Sequence, residues 1–383
     1  MSRVDLPSIL PPTLRWLPAL NDPALAAVWS LSEWDTVVRT ARRLRLLARL
    51  AETLDAAGRL DKVPATAQRL LRAEMQLSRW RTTITVWALQ RVGAALADGG
   101  YPVVLLKGGA YLGQDLPIAR GRLPSDLDIL VPHRHLAAAQ QRLADWGWEE
   151  TPLDEHDQRY YREWSHEVPP MQHPVHPVEL DLHHNILPPV ARTNVDADRL
   201  VQRLRPSRWA PWSVFDPADQ MLHSASHLFL DAEPRDRVRD LVDLDGLARH
   251  FGQRDGQIND NFWAGLADRS RELGLQEPLA QAVHFMQRWF DTPMPEAFVR
   301  QVQHAGPGTL RRAWLHPLMA RVLTPTHPDT LPPWTQDFAA TVVLARYHRN
   351  RLPLHLLLPH LWRKWRMRRR AEAEPAAEAP DAP

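Results

Sequence analysis

The sequence predicts an α+β fold, a small sheet set inside a mainly helical wrap, and three observations carry that prediction. Apolar residues recur at helical spacing through the first 98 positions, strand-like spacing takes over between 99 and 187, and helical spacing returns from Asp216. The chain of 383 residues holds enough material for two ordinary domains or for one core with large helical additions.

From Trp34 to Leu54 the apolar positions Val37, Val38, Ala41, Leu44, Ala48 and Leu54 suit one face of a single helix. A second helix is expected from Ala67 to Ala97, stopped by Gly99 and Gly100. The period then changes. Val103–Leu106 is a short, β-branched apolar run and reads as a buried strand, and Leu127–Val131 reads as a second. A helix follows over His135–Trp146, with further strands expected at Tyr160–Val168 and Val178–His184. Asp216 followed by Pro217 marks a helix start, and helices are expected over 237–250, 261–273, 278–291 and 334–347. The regions are therefore 1–98 helical, 99–187 sheet-bearing, 188–350 helical, and 351–383, a basic amphipathic helix with an acidic, disordered tail.

Composition narrows the chemistry. Forty-seven basic and 45 acidic residues leave a formal charge of +2, which lacks the field of a nucleic-acid coat, so no nucleic-acid partner is expected. The chain has no cysteine, which excludes disulfides, thiolate metal sites and a cysteine nucleophile and fits a reducing cytoplasm. Neither a secretory leader nor a run of 18 apolar residues is seen, and cytoplasmic residence is the expectation. Leu357, Leu358, Leu361, Trp362 and Trp365 fall on one helical stripe beside six basic residues between Arg363 and Arg370. Such a helix suits the anionic inner face of a membrane, and equally a last helix packed on the body with a solvated basic end.

The residues that carry chemistry lie in VVLLKGGAYL and GRLPSDLDILV. Lys107, Gly108 and Gly109 end a strand, and glycines at a helix entrance let backbone N–H groups approach a phosphate. Only three lysines stand among 44 arginines, so a lysine in this turn points to a need for a compact ammonium. Asp126 and Asp128 are two apart on a strand and point to one face, an arrangement that suits Mg²⁺ shared with phosphates. Without a cation the two charges repel, so an empty site should tolerate their removal. Alternation also groups Glu179, Asp181 and His183 on one face, which offers a third carboxylate at Asp181. His223 and His227 fall opposite the apolar stripe of their helix. A solvated face fits them best, ahead of a cleft-lining role, and zinc lacks both the HExxH spacing and a third ligand. Arg239 and Asp243 read as an intrahelical pair.

The run Leu106-Lys107-Gly108, then Arg122 four residues before Asp126-Leu127-Asp128, then Asp181-Leu182-His183, resembles the uncharacterised nucleotidyltransferase-like family of the DNA polymerase beta nucleotidyltransferase superfamily. The likeness covers roughly residues 50–250 and implies a mixed-sheet nucleotidyltransferase core whose Gly-Gly turn holds a nucleoside triphosphate (NTP). It implies that Asp126, Asp128 and Asp181 hold two Mg²⁺ and share the catalysis, while Lys107, Gly108, Gly109 and Arg122 meet phosphates or the acceptor. Gly109 stands where superfamily members often carry serine, and 16 residues separate it from Asp126, a longer interval than is usual there. The expected activity is Mg²⁺-dependent transfer of a nucleoside monophosphate from an NTP to a hydroxyl acceptor. The alternative is a nucleotide-binding accessory or scaffold protein of a biosynthetic or surface-polymer pathway.

Overall fold

The computed structural model describes residues 10–175, 178–230 and 234–351, together with 362 and 366. Leu357, Leu358, Leu361 and Trp365 of the terminal stripe, and the acidic tail, lie outside the described residues.

Ser30 opens helix α1 (Leu31–Arg43) with a capping box. Its hydroxyl accepts from the Glu33 N–H at 3.3 Å, and Glu33 Oε2 accepts from the Ser30 N–H at 2.7 Å. The single helix expected over 34–54 is in fact two, because Arg45 takes a left-handed φ of 57° and α2 (Leu47–Ala56) restarts after it. Helix α3 (Ala65–Leu96) is 32 residues long and packs along α2.

The sheet then begins. Strand β1 (Val103–Leu105) leads into α4 (Lys107–Gly113), and β2 (Asp126–Leu130) into α5 (Leu136–Asp145). After β3 (Glu149–Glu150), helix α6 (Glu155–Trp164) replaces most of the strand expected at 160–168. Tyr160 and Trp164 are one turn apart and touch edge-to-face at 6.0 Å, a helical contact that outweighed their strand propensity. Only the end of that segment joins the sheet, through the Glu167↔His183 bridge and the Val168 N–H to the Leu182 carbonyl at 3.0 Å. Strands β4 (Met171–Gln172) and β5 (Glu179–His183) precede the short α7 (Ala197–Val201). Strands β6 (Arg205–Pro206) and β7 (Trp212–Val214) complete a seven-stranded mixed sheet of order β3-β4-β5-β2-β1-β7-β6. β1 runs antiparallel to β2 and parallel to β7, while β2 runs parallel to β5.

Strands are thus not confined to 99–187: β7 lies beside the interior strand β1, with Trp212 opposite Val103. Three residues next to Pro211 are too short a run to show a period. The Trp212 indole N–H donates to the Leu89 carbonyl at 3.2 Å, which seats this strand on α3.

Asp216 caps α8 (Pro217–Phe229) by accepting from the Ala218 N–H at 3.1 Å, as its sequence announces. Helices α9 (Val238–Phe251), α10 (Asp260–Glu272) and α11 (Gln276–Phe290) pack around it, with a small hairpin (Gln253–Arg254 and Gln257–Ile258) between the first two. Helices α12 (Glu296–Ala305) and α13 (Thr309–Leu323) flank Gly306-Pro307-Gly308, and α14 (Trp334–Arg351) closes the wrap. No helix among the described residues is long and apolar enough to cross a membrane.

Candidate active site

The sheet explains why the acidic residues meet. In the parallel β2–β5 ladder Asp128 stands opposite Asp181 and Asp126 opposite Glu179, while Leu127, Ile129, Leu180 and Leu182 fill the core behind them. β1 then delivers Lys107 at its end, where α4 begins. Lys107 has a φ of 43°, a left-handed conformation that costs a non-glycine residue on the order of 1 kcal/mol or more. Its Nζ donates to Asp128 Oδ1 at 2.6 Å, and His183 Nε2 lies 3.2 Å from the same oxygen.

A cavity of about 330 Å³ opens in front of these groups. Asp126, Asp128, Asp181 and Glu167 line it from the sheet side, and Lys107 joins them. Arg45, Arg122, Arg237, Arg239, Asp240 and Asp243 line it from the linkers and α9. Arg122 is placed by a tight turn. Gly121 has a φ of 70°, and a Cβ there would sit 2.6 Å from the Arg49 Cα, so only glycine lets this loop lie against α2. Gly108 has a related duty, since a Cβ on it would collide with Arg122 Nη1. Gly109 is buried, and a Cβ on it would reach the Leu127 side chain at 3.4 Å. Neither glycine is among the residues lining the cavity, whereas Lys107 and Arg122 both are.

The electrostatics follow from burial and partners. Asp128 is 5% exposed, and burial pushes its carboxyl up. The Lys107 ammonium and His183 outweigh that and hold it well below the usual carboxylate range. Burial likewise opposes the Lys107 ammonium, and Asp128 reverses the direction, so Lys107 titrates above its ordinary value. Among the described residues Asp181 has no ion-pair partner, and the pull of His183 is outweighed. Burial first, and the Asp128 charge second, push it up to about 7. Both donors to Asp128 reach Oδ1. A second oxygen on Asp128 and an under-compensated Asp181 make a donor set that fits a hard cation with oxygen ligands.

Several expectations change here. Asp128 is paired rather than merely repelled, so its removal leaves the largely buried Lys107 ammonium without that partner and is not neutral to stability. Asp243 pairs with Arg122, Nε to Oδ2 at 2.9 Å, and not with Arg239 along its own helix. Arg122 also lies over the Tyr111 ring at 5.6 Å, and the Tyr111 hydroxyl meets Ser224 Oγ at 2.9 Å. Glu179 is exposed at the start of β5, where Gln172 donates to it at 3.1 Å, and does not line the cavity. Glu167 does: it follows helix α6 in a segment read throughout as a strand, and no motif in the sequence singled it out.

The histidines of α8 do not sit on a solvated face. His223 is 4% exposed and packs edge-on to Phe215, with ring centroids 6.0 Å apart, and His227 lines the cavity. Helices α9, α10 and α11 surround α8, so it has no free face for them to occupy. Burial and the nearby Lys107 charge lower His223 to about 3, and burial holds His227 well below its ordinary value. A histidine depressed on folding contributes stability above its unfolded value of roughly 6.5, and that stability is lost as pH falls toward the folded value. Each proton linked in this way steepens acid destabilisation by at most about 1.4 kcal/mol per pH unit. Urea unfolding at pH 7.5, 6 and 5 should show this loss, and His223→Asn should flatten it. An unchanged slope in the variant would contradict a buried neutral His223.

No curated protein and no solved structure matches the chain. The family model described as uncharacterised nucleotidyltransferase matches residues 30–291, a span that contains the whole sheet, the carboxylate cavity and helices α1 to α11. With Lys107, the Asp126–Asp128 strand and Asp181 gathered in that span, the chain belongs to the uncharacterised nucleotidyltransferase family.

Proposed function

We propose that the cavity carries out Mg²⁺-dependent transfer of a nucleoside monophosphate from an NTP to a hydroxyl acceptor, with pyrophosphate leaving. The observation that supports it most is the convergence of Asp126, Asp128 and Asp181 in a 330 Å³ cavity whose other wall is rich in arginine. Asp126, Asp128 and Asp181 would hold Mg²⁺, which when bound neutralises charge on phosphate oxygens. Arg122, fixed against Asp243 and Tyr111, presents its guanidinium to phosphates without further ordering. Lys107 holds Asp128 ionised, and so keeps a ligand charge where the reading needs one. Asp181, pushed up to about 7 by burial and Asp128, is the carboxylate best suited to accept the proton of an acceptor hydroxyl.

A thermal-shift panel of four NTPs with Mg²⁺ tests this directly. At least one nucleotide should stabilise the protein with Mg²⁺ and not with EDTA. The Asp126→Asn/Asp128→Asn variant should lose that stabilisation, and unchanged NTP affinity in it by calorimetry would sink the assignment.

One observation favours the accessory-protein reading. Lys107 and Arg122, the two cations expected at phosphates, are already neutralised by Asp128 and Asp243. Radiolabelled NTP separates the two readings: Mg²⁺-dependent turnover supports the enzyme, and binding without turnover on any hydroxyl acceptor supports the accessory protein. Association with an anionic membrane surface through the basic terminal helix, and a cytoplasmic location, remain part of this proposal. Co-sedimentation with anionic vesicles tests the first.

A further inference from the structure

Beside the carboxylate cavity lies a second lobe of about 130 Å³, lined by Lys107, His166, Glu167, His183 and, from α14, Asn350 and Arg351. Its wall holds an arrangement that nucleotide transfer does not use. His183 is 3% exposed and is bracketed by two carboxylates: Nε2 lies 3.2 Å from Asp128 Oδ1, and Nδ1 lies 3.4 Å from Glu167 Oε2. When Nε2 donates its hydrogen to Asp128, the Nδ1 lone pair faces the Glu167 carboxylate. Like-signed density at that distance calls for a positive charge between them. His183 Nδ1 has no hydrogen bond among the described residues, and neither has the buried Nδ1 of His166. One donor atom from each of His166, Glu167 and His183 lies within 4.8 Å of the others. A proton between His183 and Glu167 would satisfy two of these atoms and leave His166 orphaned. A metal ion would satisfy all three.

We propose that His166, Glu167 and His183 form a divalent transition-metal site of the zinc class, separate from the carboxylates that hold Mg²⁺ and independent of the nucleotide reading. The backbone prepares it. Both His184 and Asn185 N–H groups, just beyond the end of β5, reach the His166 carbonyl, at 2.8 and 3.3 Å, and pin the His166 backbone beside His183. His166 sits in a bend immediately before the Glu167↔His183 bridge, outside any strand alternation, and its donor atom and that of Glu167 come to the same place. Asp128 completes the order of a carboxylate–histidine–metal relay, which fixes the His183 tautomer and ring orientation. The lobe leaves the fourth position open to water or a ligand, the pattern of a reactive rather than a sealed structural zinc site. Lys107 and Arg351 line the same lobe and oppose any added cation by charge. The two imidazoles therefore decide the metal, favouring zinc-class ions over Mg²⁺ or Ca²⁺.

The test uses the full chain freed of metal and titrated with Co²⁺ as a spectroscopic probe, then with Zn²⁺ in competition. One Co²⁺ per chain should bind with the intense visible absorption of a low-coordinate N₂O site, and one equivalent of Zn²⁺ should bleach it. His166→Asn and Glu167→Gln should each weaken the site by at least about a hundredfold, more than is usual for loss of an outer-shell partner. Asp181→Asn should leave the spectrum in place. Two variants guard against one that fails to fold, since either alone removes a ligand. Three outcomes overturn the proposal: no stoichiometric Co²⁺ binding, a spectrum indifferent to both His166→Asn and Glu167→Gln, or a spectrum lost in Asp181→Asn. The first would mean that a proton bridges His183 and Glu167. The last would mean that the ion belongs to the carboxylate cavity.

Discussion

Asp181→Asn is expected to bind Mg²⁺–NTP within about tenfold of wild type, roughly 1.4 kcal/mol, while transfer falls by at least two orders of magnitude. The second loss corresponds to about 2.7 kcal/mol or more in the barrier. The split arises because the three carboxylates are not equivalent. Asp126 and Asp128 share β2, and Asp128 is held ionised by Lys107 and His183. Asp181 sits directly across the ladder, and burial together with the Asp128 charge raises it to about 7. Asparagine preserves its size and removes its capacity to take a proton, so ground-state binding suffers little and the reacting step suffers much. Glu179→Gln is the control, because Glu179 is exposed on the same strand, engaged by Gln172, and off the cavity wall. A dead Glu179→Gln beside a normal Asp181→Asn would transfer the role to Glu179. If both variants turn over normally in an active preparation, the three-carboxylate mechanism fails.

Lys107→Met should be the most damaging single substitution to stability, at about 3–5 kcal/mol near neutral pH. Methionine fills the aliphatic path of lysine and removes the ammonium 2.6 Å from a carboxylate that is 5% exposed. Asp128 would then be a buried anion facing Asp181, with only His183 to balance it. Asp128→Asn in the same chain should recover most of the loss, because the double variant leaves neither charge alone. The pH dependence has a definite sign. In wild type the Asp128 carboxyl is depressed, so its contribution is present above the unfolded value of roughly 3.9 and is lost as pH falls through the folded one. In Lys107→Met burial dominates and raises the same group, so the deficit should shrink as pH is lowered and Asp128 protonates. Denaturant midpoints for the two single variants and the double variant at pH 7.5 and 5 measure both effects. Additive losses with no pH dependence would show that the pair contributes nothing to the fold.

The strand-borne part of this site was legible because strand periodicity is short and strict. Asp126 and Asp128 could only share a face, and Asp181 alternates with core leucines, so their convergence needed only one correct pairing of strands. Lys107 stood out by rarity among the basic residues. What could not be read was whatever depended on partners distant in sequence. The Arg122–Asp243 pair spans 121 positions, and nothing local to Asp243 distinguishes that partner from Arg239 on the next turn. The burial of His223 is likewise a property of the helices that surround α8 and not of its own pattern. Arg45 split one expected helix into two without a glycine or proline to mark the place. Helix α6 and strand β7 were missed for a related reason: aromatic residues suit both periods, and three residues are too few to show one.

The sheet order also constrains how the chain can be made. β2 and β5 carry the carboxylates and are separated by a moderate stretch of chain, but the other side of β1 is closed only by β7, whose Trp212 pairs with Val103. During synthesis β1 therefore leaves the ribosome with one edge open and waits for about another hundred residues before its parallel neighbour arrives. At roughly 5–20 residues per second that wait lasts on the order of 5–20 s. For that interval a fully apolar strand, Val103-Val104-Leu105, presents unpaired backbone beside a half-built site. Helix α3 is complete before β1 emerges, and it later anchors the Trp212 indole of β7 through Leu89. The seat for β7 is therefore made long before β7 itself, and removing the Leu89 turn of α3 should lower soluble yield by delaying closure of the open edge of β1.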